Sequence, residues 1–147
     1  MKTIGTIKGE TLGGISVFNC CKTLSNIIFP EGLLSIGFAC FSDCSNLKKI
    51  SFPNTLERIG PYCFQHNVFT TVEFPNNLKS LEMMSFHSSE TLSIVTFKGK
   101  PNNIESSVFQ DCNNLKTINV PWAEGEVANA PWGATNATIN YNYTGEQ

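Results

Sequence analysis

The 147-residue chain lacks most of what marks a nucleic-acid binder, a membrane protein or an enzyme. Arginine is nearly absent, Arg58 being the only one, and the formal net charge is -2. Nucleic-acid binding draws its affinity from basic side chains against phosphate. No basic face can be assembled here, so nucleic acid is excluded as a partner. No apolar run approaches the roughly 18 residues that a membrane helix needs. The opening Met1-Lys-Thr-Ile-Gly-Thr-Ile-Lys-Gly-Glu has no apolar h-region, so no signal peptide is expected in it. That leaves cytoplasm, virion, or a cell surface reached by a trimmed signal as locations.

Catalytic patterns are missing too. There is no Gly-x-Ser-x-Gly elbow and no phosphate-cradling glycine loop. His66 and His87 fall at different repeat positions, two and one after a phenylalanine. Glu57, Glu73, Glu82, Glu105 and Asp111 are scattered. Glu82 and Glu105 are equivalent, one repeat apart; two stacked carboxylates can share a proton or a cation, but a solvated edge is the commoner use of such a pair. A metal site needs several converging ligands. The expectation is therefore no enzyme, no cofactor and no metal.

What the chain does have is repetition. Phe41-Ser-Asp-Cys-Ser-Asn-Leu-Lys-Lys-Ile-Ser-Phe-Pro53 returns as Phe109-Gln-Asp-Cys-Asn-Asn-Leu-Lys-Thr-Ile-Asn-Val-Pro121, and Phe18 to Pro30 is a third copy. Aligned on the aromatic, Phe18, Phe41, Phe64, Phe86 and Phe109 are spaced by 23, 23, 22 and 23 residues. Columns follow: Leu24, Leu47, Phe69, Leu92 and Leu115, then Ile27, Ile50, Val72, Val95 and Ile118. Next come Phe29, Phe52, Phe74, Phe97 and Val120. The single short step is a deletion between Phe64 and Phe69. Periods of this size mark stacked repeats, in which each unit buries its apolar side only against its neighbours.

Within a unit, I-x-F alternates with period two and reads as a short strand that proline ends. The recurring pairs Leu33/Ile36, Leu56/Ile59 and Leu78/Leu81 predict a second extended piece. The Gly-x-x-Cys-Phe stretch is too short for a standing helix and predicts a helical or 3-10 turn. The six cysteines follow the columns: Cys21, Cys44 and Cys112 share one, Cys40 and Cys63 another. This register favours reduced core thiols over a disulfide framework. Cys20 has no column partner and is expected to be the exposed thiol.

The unit with Ile-x-Phe-Pro, Ile-Gly and Cys-Phe-x-x-Cys closely resembles the BspA-like leucine-rich-repeat family, over roughly residues 15–121. The resemblance implies a mainly β repeat solenoid, right-handed, with a parallel sheet on its concave face. It also implies protein binding or adhesion as the function. The tail Pro-Trp…Pro-Trp-Gly-Ala-Thr-Asn-Ala-Thr is similar to tails on repeat proteins of gut bacteria and their phages. A phage structural, tail or host-interaction protein, assembled as a homo-oligomer, is the alternative that this suggests.

One domain is expected: a degenerate coil over 1–17 holding Ile7, Leu12 and Val17, repeats over 18–121, and a C-terminal cap over 122–147. The run from Ala137 to Tyr143 alternates like one more strand. Outward positions on the I-x-F strands form two rows, Ile28, Ser51, Glu73, Thr96 and Asn119, and Asn26, Lys49, Thr71, Ile94 and Thr117. These ten are the candidate binding residues for a protein partner. A second candidate is an aromatic patch of Trp122, Trp132, Tyr141 and Tyr143, suited to hot-spot contacts or to a glycan. Capping of the last coil is the competing role for those aromatics.

Overall fold

The computed structural model describes residues 11–12 and 16–145, and within them the chain winds as a parallel solenoid. Three hydrogen-bonded faces follow from three segments of each unit. The I-x-F segments form the long-strand face: β2 (Asn26–Ile28), β4 (Lys49–Ser51), β6 (Thr71–Phe74), β8 (Ile94–Phe97), β10 (Thr117–Asn119) and β11 (Thr138–Asn140). The second pieces give two-residue strands, β1 (Thr11–Leu12), β3 (Ser35–Ile36), β5 (Arg58–Ile59), β7 (Ser80–Leu81) and β9 (Asn103–Ile104). They pair in that order as one parallel sheet.

The third face differs from the sequence-based expectation. No helical segment, α or 3-10, occurs among the described residues. Ala39, Tyr62 and Met84, two before the column phenylalanine, have positive φ. So do Asp43, His66, Ser88 and Asp111, two after it. A left-handed residue every fourth position interrupts any helical run. Backbone donors there reach the next coil instead: Phe41 N–H to Cys63 C=O (2.8 Å), Phe64 N–H to Ser85 C=O (2.7 Å), His66 N–H to His87 C=O (2.9 Å). The corner is thus a ladder of turns, and Ala39, Asp43, Tyr62, His66 and Ser88 are held in the left-handed region by N–H bonds to the next coil.

Two aromatic columns fill the centre. Phe18, Phe41, Phe64, Phe86 and Phe109 stack with successive centroid distances of 5.1, 5.4, 5.4 and 6.0 Å. Phe29, Phe52, Phe74 and Phe97 form the second, meeting the first edge-on at 5.6 Å (Phe29–Phe41) and 5.3 Å (Phe74–Phe86). Burying each such ring is worth about 1.5–3 kcal/mol, and each favourable ring pair about 0.5–1.5 kcal/mol more. Cys40, Cys44, Cys63 and Cys112 are buried between the columns and the turns. All six cysteines are free thiols, with Cys20 exposed and Cys21 half-buried.

The tail makes a sixth coil. Phe109 N–H donates to Trp132 C=O (2.8 Å), continuing the turn ladder, and β11 pairs with β10 through Thr117↔Thr138, Ile118↔Ile139 and Asn119↔Asn140. Trp122 and Trp132 cross at 6.2 Å and 74°, and Trp122 packs edge-on against Phe97 at 5.3 Å. At the other end, β1 pairs with β3. Ile7 and the side chain of Leu12, assigned to the degenerate first coil, lie outside the described residues.

Candidate functional site: the long-strand face

Strand alternation places the candidate rows outward on the long-strand face. Ile28, Lys49, Ser51, Thr71, Glu73 and Ile94 are exposed, while Asn26, Thr96 and Thr117 are half-buried. Asn119 is a correction: only 7% of its surface is exposed. The added strand β11 covers it. Asn140 Nδ2 donates to Asn119 Oδ1 (2.8 Å), and Asn119 Nδ2 donates to Thr96 Oγ1 (3.2 Å). An amide ladder of this kind is fully occupied with its neighbours and offers little to a ligand.

The aromatic patch is also corrected. Trp122 and Trp132 are 3% and 0% exposed, because they close the open end of the aromatic columns. Trp132 donates its indole N–H to Ala128 C=O at 2.8 Å. Tyr141 and Tyr143 are half-buried. The four do not come together as a surface for a sugar to stack on.

The face is not one sheet. β2 pairs only with β4, and β6, β8, β10 and β11 form a separate sheet; no ladder joins β4 to β6. The cause lies at the preceding corner. In five coils a three-residue turn closes there: Leu24 N–H to Cys21 C=O, Leu47 to Cys44, Leu92 to Ser89, Leu115 to Cys112 and Ala137 to Ala134. In the third coil Phe69 follows Asn67 by only two residues, and this turn is absent. The bond that should start the ladder is lost with it. Ile94 N–H reaches Thr70 C=O, and Lys49 N–H reaches Ser25 C=O, but neither Thr70 nor Thr71 reaches Lys48.

A seam therefore opens along β4 and β6. Ile50 and Phe52 belong to otherwise buried columns and are half-exposed at it. One hollow of about 790 Å³ is lined by Ile28, Lys48, Lys49, Ile50, Val68 and Thr71, among others. A second of about 240 Å³ continues it past Phe52, Thr71, Glu73 and Lys98. Among the described residues, Lys48 and Lys49 have no carboxylate partner, whereas Glu73 lies 3.4 Å from Lys98. The first hollow is thus apolar-floored, hydroxyl-lined and positive.

The turn face carries a polar row that sequence reasoning missed. His66 and His87 stand one column apart in the alignment, yet their rings lie 5.5 Å apart. Asp43 Oδ1 is 2.6 Å from His66 Nδ1, and Asp111 Oδ2 is 3.1 Å from His87 Nε2. Burial pushes the Asp43 carboxyl up. Hydrogen bonds from Ser42 and His66, with the His66 charge, outweigh it and hold the group below its usual value. Ser88 Oγ meets the same Nε2 of His87 as Asp111 does, at 3.2 Å. With both partners on one nitrogen, the imidazole cannot relay a proton from serine to carboxylate. Among the described residues no three His, Cys, Asp or Glu side chains converge as a metal set, and no helix is long and apolar enough to cross a membrane. Glu82 accepts from Arg58, Oε2 to Nη2 at 2.7 Å.

The family described as BspA type leucine rich repeat region matches residues 14–129, in six copies. No curated protein matches the chain by sequence. Among solved structures it is similar to a leucine-rich repeat protein from Bacteroides ovatus, with TM-score 0.66 and 21% identity over 89% of this chain and 34% of that one. It is similar to the T. pallidum leucine rich repeat protein at TM-score 0.66 and 23% identity, over 88% of this chain and 61% of that one. The pneumococcal vaccine antigen PcpA follows at TM-score 0.55 and 17% identity, over 93% of this chain and 40% of that one. The chain thus spans between about a third and three-fifths of those proteins.

Proposed function

The chain belongs to the BspA-type leucine-rich-repeat family, and on that premise we propose that it is a non-catalytic module that binds another protein, in an adhesion-type role, through its long-strand face. The observation that carries this reading is the exposure of Ile28 (39%) and Ile94 (41%) on that face, set among Lys49, Ser51, Thr71 and Glu73. Aliphatic side chains left on a sheet surface contribute nothing to the core, while their burial against a partner is favourable. The mixture of aliphatic, hydroxyl and charged groups suits a protein better than a sugar or a nucleic acid.

The test compares two faces. Ile28→Glu/Ile94→Glu is placed beside Phe38→Glu, a similarly exposed apolar residue at the turn corner. A protein captured by the native chain should be lost with the first variant and retained with the second. Retention by both contradicts the assignment.

A further inference from the structure

We propose that the β4–β6 seam seats an extended peptide segment of the protein partner, one with an acidic residue beside an aliphatic one. The proposal rests on the long-strand-face reading and narrows it to one place and one chemistry. Three features of the seam point the same way.

The first is unmade backbone bonding. In a parallel strand, alternate residues present both N–H and C=O to the same neighbour. Phe74 C=O accepts from Lys98 N–H, and Ser51 C=O accepts from Phe29 N–H. By that alternation Ile50 on β4, and Thr71 and Glu73 on β6, aim their groups into the seam, where no strand meets them. Free strand edges are where extended peptides add.

The second is the floor. Ile28, Ile50 and Val68 line the larger hollow, and Ile50 is open only because the ladder is missing. An aliphatic side chain of the peptide covers it.

The third is charge. Lys48 and Lys49 border that hollow, which no carboxylate lines. A carboxylate on the peptide supplies the missing partner. The peptide lies along the mouth of the seam, its backbone toward Thr71 and its acidic residue toward Lys49.

The same missing residue supplies the test. Inserting one asparagine between Asn67 and Val68 restores the corner turn, which should join β4 to β6 and close the seam while leaving both outward rows in place. The probe is a fluorescein-labelled peptide of alternating valine and glutamate, read by anisotropy at low salt; its valine–lysine counterpart is the control. The native chain should bind the glutamate peptide and not the lysine peptide. The insertion variant, and separately Lys48→Glu/Lys49→Glu, should each weaken binding at least tenfold. Thr71→Pro serves should the insertion disturb folding: it removes one seam-facing donor and no existing ladder bond, and should weaken binding severalfold with an unchanged circular dichroism spectrum. Absence of binding to the native chain, equal binding of both peptides, or full affinity in the insertion and Thr71→Pro variants would overturn the proposal. A protein partner that is lost on Ile28→Glu/Ile94→Glu but indifferent to the insertion would leave the long-strand-face reading standing and remove the seam from it.

Discussion

Phe41 and Phe64 stack 5.4 Å apart and 3° from parallel, although the strands that follow them, β4 and β6, do not pair. The core is continuous where the surface is split. The aromatic columns and the turn ladder carry the solenoid across the third coil, so losing one corner turn opens a single face.

A contrast in stability follows. Phe64 is fully buried and touches ring neighbours on both sides, whereas Phe52 reaches solvent at the seam. Phe64→Ala should cost about 3–5 kcal/mol. Phe52→Ala should cost distinctly less, and Lys49→Ala no more than about 0.5 kcal/mol. Urea unfolding of the three variants measures this. Equal losses at Phe52 and Phe64 would mean that the seam is closed.

The thiols should divide by burial. Desolvation pushes Cys40, Cys44 and Cys112 up to about 11, and fully buried Cys63 is raised well above its ordinary value. Only the thiolate reacts. A disulfide reagent at pH 8 should therefore label Cys20 first and Cys21 more slowly, and should reach the other four only after denaturation. Peptide mapping of the labelled protein checks the order; labelling of Cys63 in the native state would contradict it.

The Asp43–His66 pair makes stability depend on pH with a defined sign. Asp43 is held below its unfolded value by Ser42 and His66 despite the opposing effect of burial. A carboxylate depressed in the folded state contributes stability above its unfolded pKa of about 3.9, and loses it as pH falls through the folded value. The pair is largely exposed, so the effect is about 0.5 kcal/mol and screened by salt. Asp43→Asn should be less stable than native at pH 6, and the difference should vanish near pH 2. Urea midpoints at the two pH values measure it; a gap that persists at low pH would assign the loss to packing.

Much of this was legible in the residues. The columns from Phe18 to Phe109 and from Phe29 to Val120 predicted the stacked core, and I-x-F and L-x-x-I predicted the two strand-bearing faces, though not the split of the first into two sheets. The deletion between Phe64 and Phe69 was visible as a spacing, but its consequence was not. A one-residue gap can be absorbed in a loop, and here it fell on the only turn that sets the next strand against its neighbour. The helical turn failed because bonds between coils hold left-handed residues such as Ala39 and Tyr62 that local preference would not choose. Asn119 misled because the strand in the tail, legible in the alternation from Ala137 to Tyr143, packs over it; of the two roles weighed for the tryptophans, capping is the one they fill. His66 and His87 meet across adjacent columns, which an alignment by column cannot bring together.

The most direct test is residue-resolved amide exchange on the native chain. Thr71 and Glu73 should exchange much faster than Ile94 and Thr96, their partners in register on β8, and the asparagine insertion after Asn67 should slow Thr71 and Glu73 to match. Equal protection of the two pairs in the native chain would contradict an open seam, and with it the binding site argued from it.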